Sequence, residues 1–309
     1  MKNIKLKNIF FLFLISVIYI QNGFSKIYNL PKNGDRLIGK NIFITIPENN
    51  KLPLEYFAEK FQVGLSNLLE ANPGIDVYLP SGGTKLVIPN KLILPKNYKT
   101  GILINIAEMR LFYFPKNFEK VVVLPVGIGE IGKETPSKWK TYVKRKKYAP
   151  TWTPTKDMHK EYSSLGIKLL KIYPSGKNNP MGLYALYLED LYAIHGTNTN
   201  FGIGLRVTHG CIRLRNDDIK YLFNNVPVGT EVYFINEPVK VTHESDGNKY
   251  IEVHQPLSEN LKELNSIYHS PIEISKNIYN FIIDKNINKF SLTQAFQERC
   301  GIPVNLTKN

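Results

Sequence analysis

The chain is short of cysteine: only Cys211 and Cys300 occur in 309 residues. Two thiols cannot build a multi-disulfide scaffold or a four-thiolate zinc site. Arginine is scarce as well. The 40 basic side chains are nearly all lysine, and arginine stands only at positions 36, 110, 145, 206, 213, 215 and 299. Bidentate recognition of bases and phosphates favours arginine. No RNP, zinc-finger or basic-helix signature is present either, so a formal charge of +14 argues for an anionic polymer as partner rather than nucleic acid. Glycine (21) and proline (19) follow no period, which excludes collagen-like and low-complexity chains. No apolar run beyond the first 25 residues reaches the roughly 20 residues of a membrane span. What is present is a globular composition, 43% hydrophobic and 21% charged, at a length that suits two or three domains.

Residues 1–25 read as an export signal. Lys2, Lys5 and Lys7 precede an apolar stretch from Ile9 to Ile20, and Gly23-Phe24-Ser25 offers small residues for cleavage before Lys26. No cysteine lies near that point, which argues against a lipoprotein. The mature chain is expected to be exported, basic and free of the membrane.

Residues 42–89 form a compact block. Ile42, Ile44 and Ile46 alternate as in a strand, and Leu54, Phe57, Ala58 and Phe61 mark an amphipathic helix. A second helix, with Ser66 expected as its cap, runs through Leu68, Leu69 and Ala71 and stops at Asn72-Pro73-Gly74; Lys85 to Ile88 closes the block as a strand. Residues 90–98 read as a linker. From 101 onward short strands at Ile102–Ile106, Arg110–Phe114 and Val121–Val126 alternate with turn residues, predicting an antiparallel, sandwich-like sheet. A helix follows over Asp217–Phe223 and a strand over Glu231–Ile235. The tail, 237–309, holds a strand at Tyr250–Val253 and helices near 257–267 and 292–299.

The chemistry concentrates in Ile194-His195-Gly196-Thr197 and Thr208-His209-Gly210-Cys211-Ile212-Arg213-Leu214. A thiol of ordinary pKa, about 8.5, is mostly protonated at neutral pH and needs a base or cation beside it to attack. His195, at the end of a strand over Leu191–Ile194, suits the base. Gly210 leaves backbone N–H groups near Cys211 uncovered, as an oxyanion hole requires. Arg213 adds fixed positive charge on the same face if the segment is extended. The second thiol, Cys300, reads as a partly buried spare. His159, His243, His254 and His269 lack metal-like spacing and read as structural or surface residues.

Two resemblances follow from these residues. The block 42–89, through Val63-Gly64-Leu65, Leu68 to Gly74 and Leu86 to Pro89, resembles a LysM module, which binds N-acetylglucosamine-containing glycans such as peptidoglycan. Its first turn reads Asn49-Asn50-Lys51 where that family usually has Gly-Asp-Thr. The His-Gly pair followed by Thr-His-Gly-Cys-Ile-Arg resembles the signature of YkuD-type L,D-transpeptidases. Further matches at Pro150 to Thr155, Asn179 to Gly182, Val226 to Thr230 and Asn236 to Lys240 resemble the ErfK/YbiS/YcfS/YnhG branch of Gram-negative periplasmic enzymes. Lys138 stands where many members carry glycine after a Thr-Pro pair.

The resemblance implies an α+β chain: a signal peptide over 1–25, a βααβ LysM module over 42–89, a mainly β, sandwich-like catalytic domain over 99–236, and a mixed C-terminal extension over 237–309. It implies Cys211 as nucleophile, His195 as base oriented by the Gly196 carbonyl, and His209, Gly210 and Arg213 shaping the oxyanion hole and substrate pocket. Thr208 and Asn198 would line the cleft. The implied reaction joins peptidoglycan tetrapeptide stems through a thioester to an amine, without cofactor or metal. That amine is diaminopimelate of another stem or the lysine of a Braun-type outer-membrane lipoprotein, and water in its place would give L,D-carboxypeptidase activity. The alternative of another class is a catalytically idle protein that anchors to peptidoglycan.

Overall fold

The computed structural model describes residues 26–96, 100–117, 119–266 and 270–308. The expected export signal lies outside the described residues, as does His269. No helix among the described residues is long and apolar enough to cross a membrane.

A six-stranded sheet forms the centre. Its spatial order is Lys26–Asn29, Lys120–Pro125, Arg110–Phe114, Gly101–Asn105, Glu231–Ile235, Trp139–Tyr142. Strands Gly101–Asn105 and Arg110–Phe114 are buried along their whole length, which explains their unbroken apolar runs. Successive side chains on a strand point to opposite faces, and here both faces are covered. Ile102, Ile104, Leu111, Val122, Leu124, Val232 and Phe234 enter one core, with Leu186, Ile194 and Ile212 of a second sheet and Ile219 and Leu222 of a helix. Leu103, Phe112, Phe114, Val121 and Val123 point the other way, against Ile38, Leu92 and Leu94. The second sheet runs Arg145–Tyr148, Tyr184–Tyr187, Ala193–His195, Ile212–Arg213. Two sheets packed face to face are the sandwich the sequence suggests.

The expected all-antiparallel pairing does not hold. Glu231–Ile235 runs parallel to Gly101–Asn105, Ala193–His195 parallel to Ile212–Arg213, and Arg206–Thr208 parallel to Ile128–Gly129. Short apolar runs carry no direction; the connections between them set it, and long excursions allow parallel return. Residues 90–98 are also more than a linker, because Leu92–Ile93 pairs with Leu37–Ile38 and is buried.

The N-terminal block has strand Ile42–Thr45 antiparallel to Lys85–Ile88, with helices α1 (Leu54–Lys60) and α2 (Leu65–Ala71) between them. Ile46, Leu54, Phe57, Ala58, Val63, Leu65, Leu68, Leu86 and Ile88 make its own core. Asn72 ends α2 and stitches it to the strand, its side chain donating to Leu68 O and Val87 O and accepting from Val87 N. Ser66 does not cap α2. The N-cap is Gly64, which has no side chain to offer; the first helical amides are satisfied instead by backbone, Leu65 N donating to Ile203 O at 3.0 Å and Ser66 N to Gly204 O at 3.1 Å.

Among the described residues five further helices follow α2. The first, α3 (Lys156–Ser164), buries no residue and was not expected. The second, α4 (Asn216–Asn225), matches the expected Asp217–Phe223 helix. In the C-terminal part the expected 257–267 helix shrinks to one turn, α5 (Leu261–Leu264), and α6 (Lys276–Ile282) is additional. Helix α7 (Lys289–Glu298) packs on a three-stranded sheet of Val239–His243, Lys249–Val253 and Val304–Asn305.

Candidate active site

Strand Ala193–His195 lies parallel beside Ile212–Arg213, with Ile194 opposite Ile212 and His195 opposite Arg213. Residues paired across a ladder share a face, and so do residues two apart on one extended strand. Cys211 lies two residues before Arg213, so Cys211, His195 and Arg213 project from one face of the second sheet. Turn residues Asp190 and Leu191, both at positive φ, precede the strand, which begins two residues later than expected.

His195 is 7% exposed, and its Nδ1 lies 2.6 Å from the carbonyl oxygen of Gly196. With Nδ1–H donating there, Nε2 is left as the basic nitrogen. Burial, aided by the Arg213 guanidinium, pushes the imidazole pKa down to about 4, against the opposing pull of the Gly196 bond. It is therefore neutral at physiological pH. Burial raises the pKa of the Cys211 thiol, and an Ala193 backbone bond and Arg213 offset this only in part. Both shifts favour the uncharged forms, thiol at Cys211 and neutral imidazole at His195. Cys211 Sγ lies 4.0 Å from Leu191 O and rests against Met181, Ala185 and Ala193.

The turn before Cys211 is held from two sides. Thr208 Oγ1 donates to Cys211 O at 2.6 Å and accepts from Gly210 N at 3.2 Å. Gly210 N–H is therefore engaged by Thr208. Gly210 sits at φ +99°, and a Cβ there would meet Tyr192 Cε1 at 2.9 Å, so only glycine fits. Its carbonyl accepts from Thr135 Oγ1 at 2.9 Å, and the same hydroxyl accepts from Gly129 N at 2.9 Å. This role of Thr135 was not read from the sequence, although the Thr-Pro pair at 135–136 stood out.

His209 is held by the helix Lys156–Ser164. Its Nε2 lies 3.1 Å from Glu161 Oε2, and its ring stacks on Tyr162, centroids 6.3 Å apart. Both partners belong to α3, whose start Thr155 caps by accepting from Met158 N. Lys133 ties Glu161 to Glu130. The structure thus brings His195, Gly196, Thr208, Gly210, Cys211 and Arg213 together, seats His209 under α3, and leaves Asn198 exposed. A residue missed by sequence reasoning is Asn216, whose Oδ1 accepts from Thr197 N at 3.2 Å.

Arg213 exchanges two backbone bonds with Gly127, at 2.8 and 2.9 Å. Among the described residues its buried Nε has no hydrogen-bond partner. Among the described residues two groups have acid and histidine atoms close enough for a cation. Glu108, Glu252 and His254 are buried, but Arg110 and Lys240 already meet both carboxylates at 2.8–3.1 Å. Glu130, Glu161 and His209 have the Lys133 ammonium among them. Both are ion-pair clusters. Cys300 is a free, half-buried thiol 4.0 Å from Ile302 O. A groove of about 1820 Å³ between residues 29–36 and the C-terminal part includes neither Cys211 nor His195.

The L,D-transpeptidase catalytic domain (YkuD) matches residues 99–240, and the L,D-transpeptidase C-terminal domain matches residues 238–306. Probable L,D-transpeptidase YbiS of Escherichia coli K12 is 54% identical over 304 residues, covering 98% of this chain and 99% of that protein. Probable L,D-transpeptidase ErfK/SrfK of the same organism is 52% identical over 280 residues, 91% and 90% of the two chains. Probable L,D-transpeptidase YcfS is 41% identical over 304 residues, 97% and 94%. The chain belongs to the L,D-transpeptidase family. It is an L,D-transpeptidase, an enzyme of a class that acts on peptidoglycan.

Proposed function

We propose that this enzyme works in the periplasm on peptidoglycan tetrapeptide stems. It cleaves the bond between meso-diaminopimelate and the terminal D-Ala and passes the acyl group to an amine. The observation that carries the reading is the shared sheet face of Cys211, His195 and Arg213, with His195 Nδ1 engaged by Gly196 O. As Sγ attacks the carbonyl carbon, His195 Nε2 takes the thiol proton. Collapse of the tetrahedral intermediate breaks the C–N bond, and the same proton goes to the departing D-Ala amine. An acceptor amine then attacks the thioester, loses its proton to His195, and Sγ leaves as the thiol. The guanidinium of Arg213, on the same face as Cys211, suits a carboxylate of the stem.

The acceptor is diaminopimelate of a second stem, giving a 3→3 link, or the lysine of a Braun-type lipoprotein. Residues 1–25 serve as export signal, and 42–89 as a LysM module, supported by the βααβ arrangement. The catalytic domain is assigned to 99–236 and the C-terminal extension to 237–309. The test incubates residues 26–309, and a Cys211→Ala control, with a disaccharide-tetrapeptide and weighs the intact protein. An adduct equal to the stem less D-Ala, absent from the control, is expected. Folded, reduced protein that yields no adduct and no D-Ala would overturn the reading.

A further inference from the structure

Residues 196–205 connect the strand that ends in His195 to the Thr208–Cys211 turn, and this loop is held between two bodies. On its inner side Gly204 N donates to Val126 O at 3.0 Å, Leu205 O accepts from Ile128 N at 3.0 Å, and a Cβ on Gly202 would lie 3.5 Å from an Arg213 guanidinium nitrogen. On its outer side every anchor comes from the N-terminal module. The first amides of α2 bond the carbonyls of Ile203 and Gly204, as described above. From α1, Glu55 Oε1 accepts from Gly202 N at 3.2 Å and Glu59 Oε1 accepts from Asn200 Nδ2 at 2.6 Å. Leu205 packs against the module's core. Arg215, two residues past Arg213, donates to Val63 O at 2.8 Å.

We propose that the N-terminal module is a positioning element of the active site: Glu55 and Glu59 of α1 hold the 198–205 loop against Arg213 and thereby set the pocket that receives the stem. The contacts leave few alternatives for these carboxylates. Each is spent on the loop rather than on the module, and Glu55 is aimed at a backbone N–H, which fixes main chain rather than a mobile side chain. The bonds run to the stretch on which the relative placement of His195 and the Thr208–Cys211 turn depends. Misplacing reacting groups by about an ångström costs on the order of 100-fold in rate, so a module without reactive groups can still govern the chemistry. The inference rests on the proposed stem pocket at Arg213 but makes a separate structural claim about the loop.

The test compares wild type, Glu55→Ala/Glu59→Ala, Glu55→Gln/Glu59→Gln and Asn200→Ala in the full mature chain. One measurement is thioester formation from the disaccharide-tetrapeptide; the other is amide hydrogen exchange of residues 200–205. The double alanine variant is expected to lose about 10- to 100-fold in the second-order acylation constant, chiefly through weaker stem binding. Exchange at Gly202 should speed up while the module's own amides stay protected. The glutamine pair keeps the acceptor oxygens and should recover most of the activity. Asn200→Ala, which leaves the module untouched, should reproduce part of the loss even if the double alanine variant folds poorly. Unchanged acylation and exchange in a folded double alanine variant would overturn the proposal, and so would equal losses in the alanine and glutamine pairs. If wild type forms no adduct, the stem reading fails, and the exchange data alone decide whether the module holds the loop.

Discussion

The imidazole Nδ1 of His254 lies 2.8 Å from the Glu70 carboxylate, across 184 residues of sequence. Glu70 belongs to α2 of the N-terminal module, and His254 follows the strand Lys249–Val253 of the C-terminal part. The other ring nitrogen lies 2.9 Å from Glu252. Burial opposes charge on His254, but Glu70 and Glu252 overcome it and raise the pKa to about 9. A protonated imidazole therefore joins the first part of the described chain to the last.

The consequence is a pH-dependent stability. A raised folded pKa gives stabilisation that is full below the unfolded value near 6.5 and is lost as pH rises through about 9. Lys26 has the opposite slope, because burial and the charges of Arg110 and Arg215 push its ammonium down to about 7. The quantity to measure is thus the difference between wild type and His254→Gln in urea unfolding. At pH 6 it should favour wild type by on the order of 3 kcal/mol, and it should shrink toward pH 9.5.

Glu252 shares this buried cluster. Its carboxylate meets Arg110 at 3.0 Å and Lys240 at 3.1 Å, and also accepts from Ile93 N at 2.6 Å. Glu252→Ala leaves three buried cations, Arg110, Lys240 and the protonated His254, without one of their shared carboxylates, so it should destabilise by about 3–5 kcal/mol. Denaturant titration at neutral pH checks this.

Acylation should tolerate acid unusually well. Only when His195 is protonated is the base lost, and its pKa is lowered to about 4. The single-turnover rate should hold down to about pH 5 and fall near pH 4, rather than near the 6.5 of an ordinary imidazole. Because burial raises the Cys211 pKa, alkylation by iodoacetamide without substrate should be slow at pH 7 and quicken on the alkaline side.

Thr135 links Gly129 N and the Gly210 carbonyl through one buried hydroxyl. Thr135→Val strands both groups and should cost about 1–3 kcal/mol of stability. It should also slow acylation about tenfold or more by loosening the turn under Cys211. Thr135→Ser keeps the hydroxyl and should remain near wild type in both respects.

Local chemistry was the part most legible in the sequence. Thr208 to Arg213 are contiguous, so a glycine before the cysteine and an arginine after it declare their turn without knowledge of the fold. Alternation at Ile42–Ile46 and short apolar runs elsewhere placed the longer central strands but not the short pairs such as Leu37–Ile38 or Ile128–Gly129, and the apolar spacing placed α1, α2 and α4. Strand direction was not legible, because Glu231–Ile235 carries the same residues whether it pairs parallel or antiparallel. Helix α3 was missed for a physical reason: it buries nothing, so it shows no apolar stripe, and only the cap at Thr155 announces it. The contacts of His209 are equally illegible in its own segment, since its partners Glu161 and Tyr162 lie on that helix. Ser66 lies inside α2 rather than at its cap because the helix starts one residue earlier, its first amides meeting the carbonyls of Ile203 and Gly204, which no local pattern reveals.

Gly64 and Gly204 meet with no side chain between them; a Cβ on Gly204 would come within 2.6 Å of the Gly64 Cα and 2.4 Å of the Leu65 nitrogen. Fit at this seam is therefore written in main-chain shape, which surface mutation cannot tune gradually. A chimaera that imports the first hundred residues from a related enzyme should assemble only where glycine faces glycine at this spot. The two halves form a matched pair rather than interchangeable cassettes.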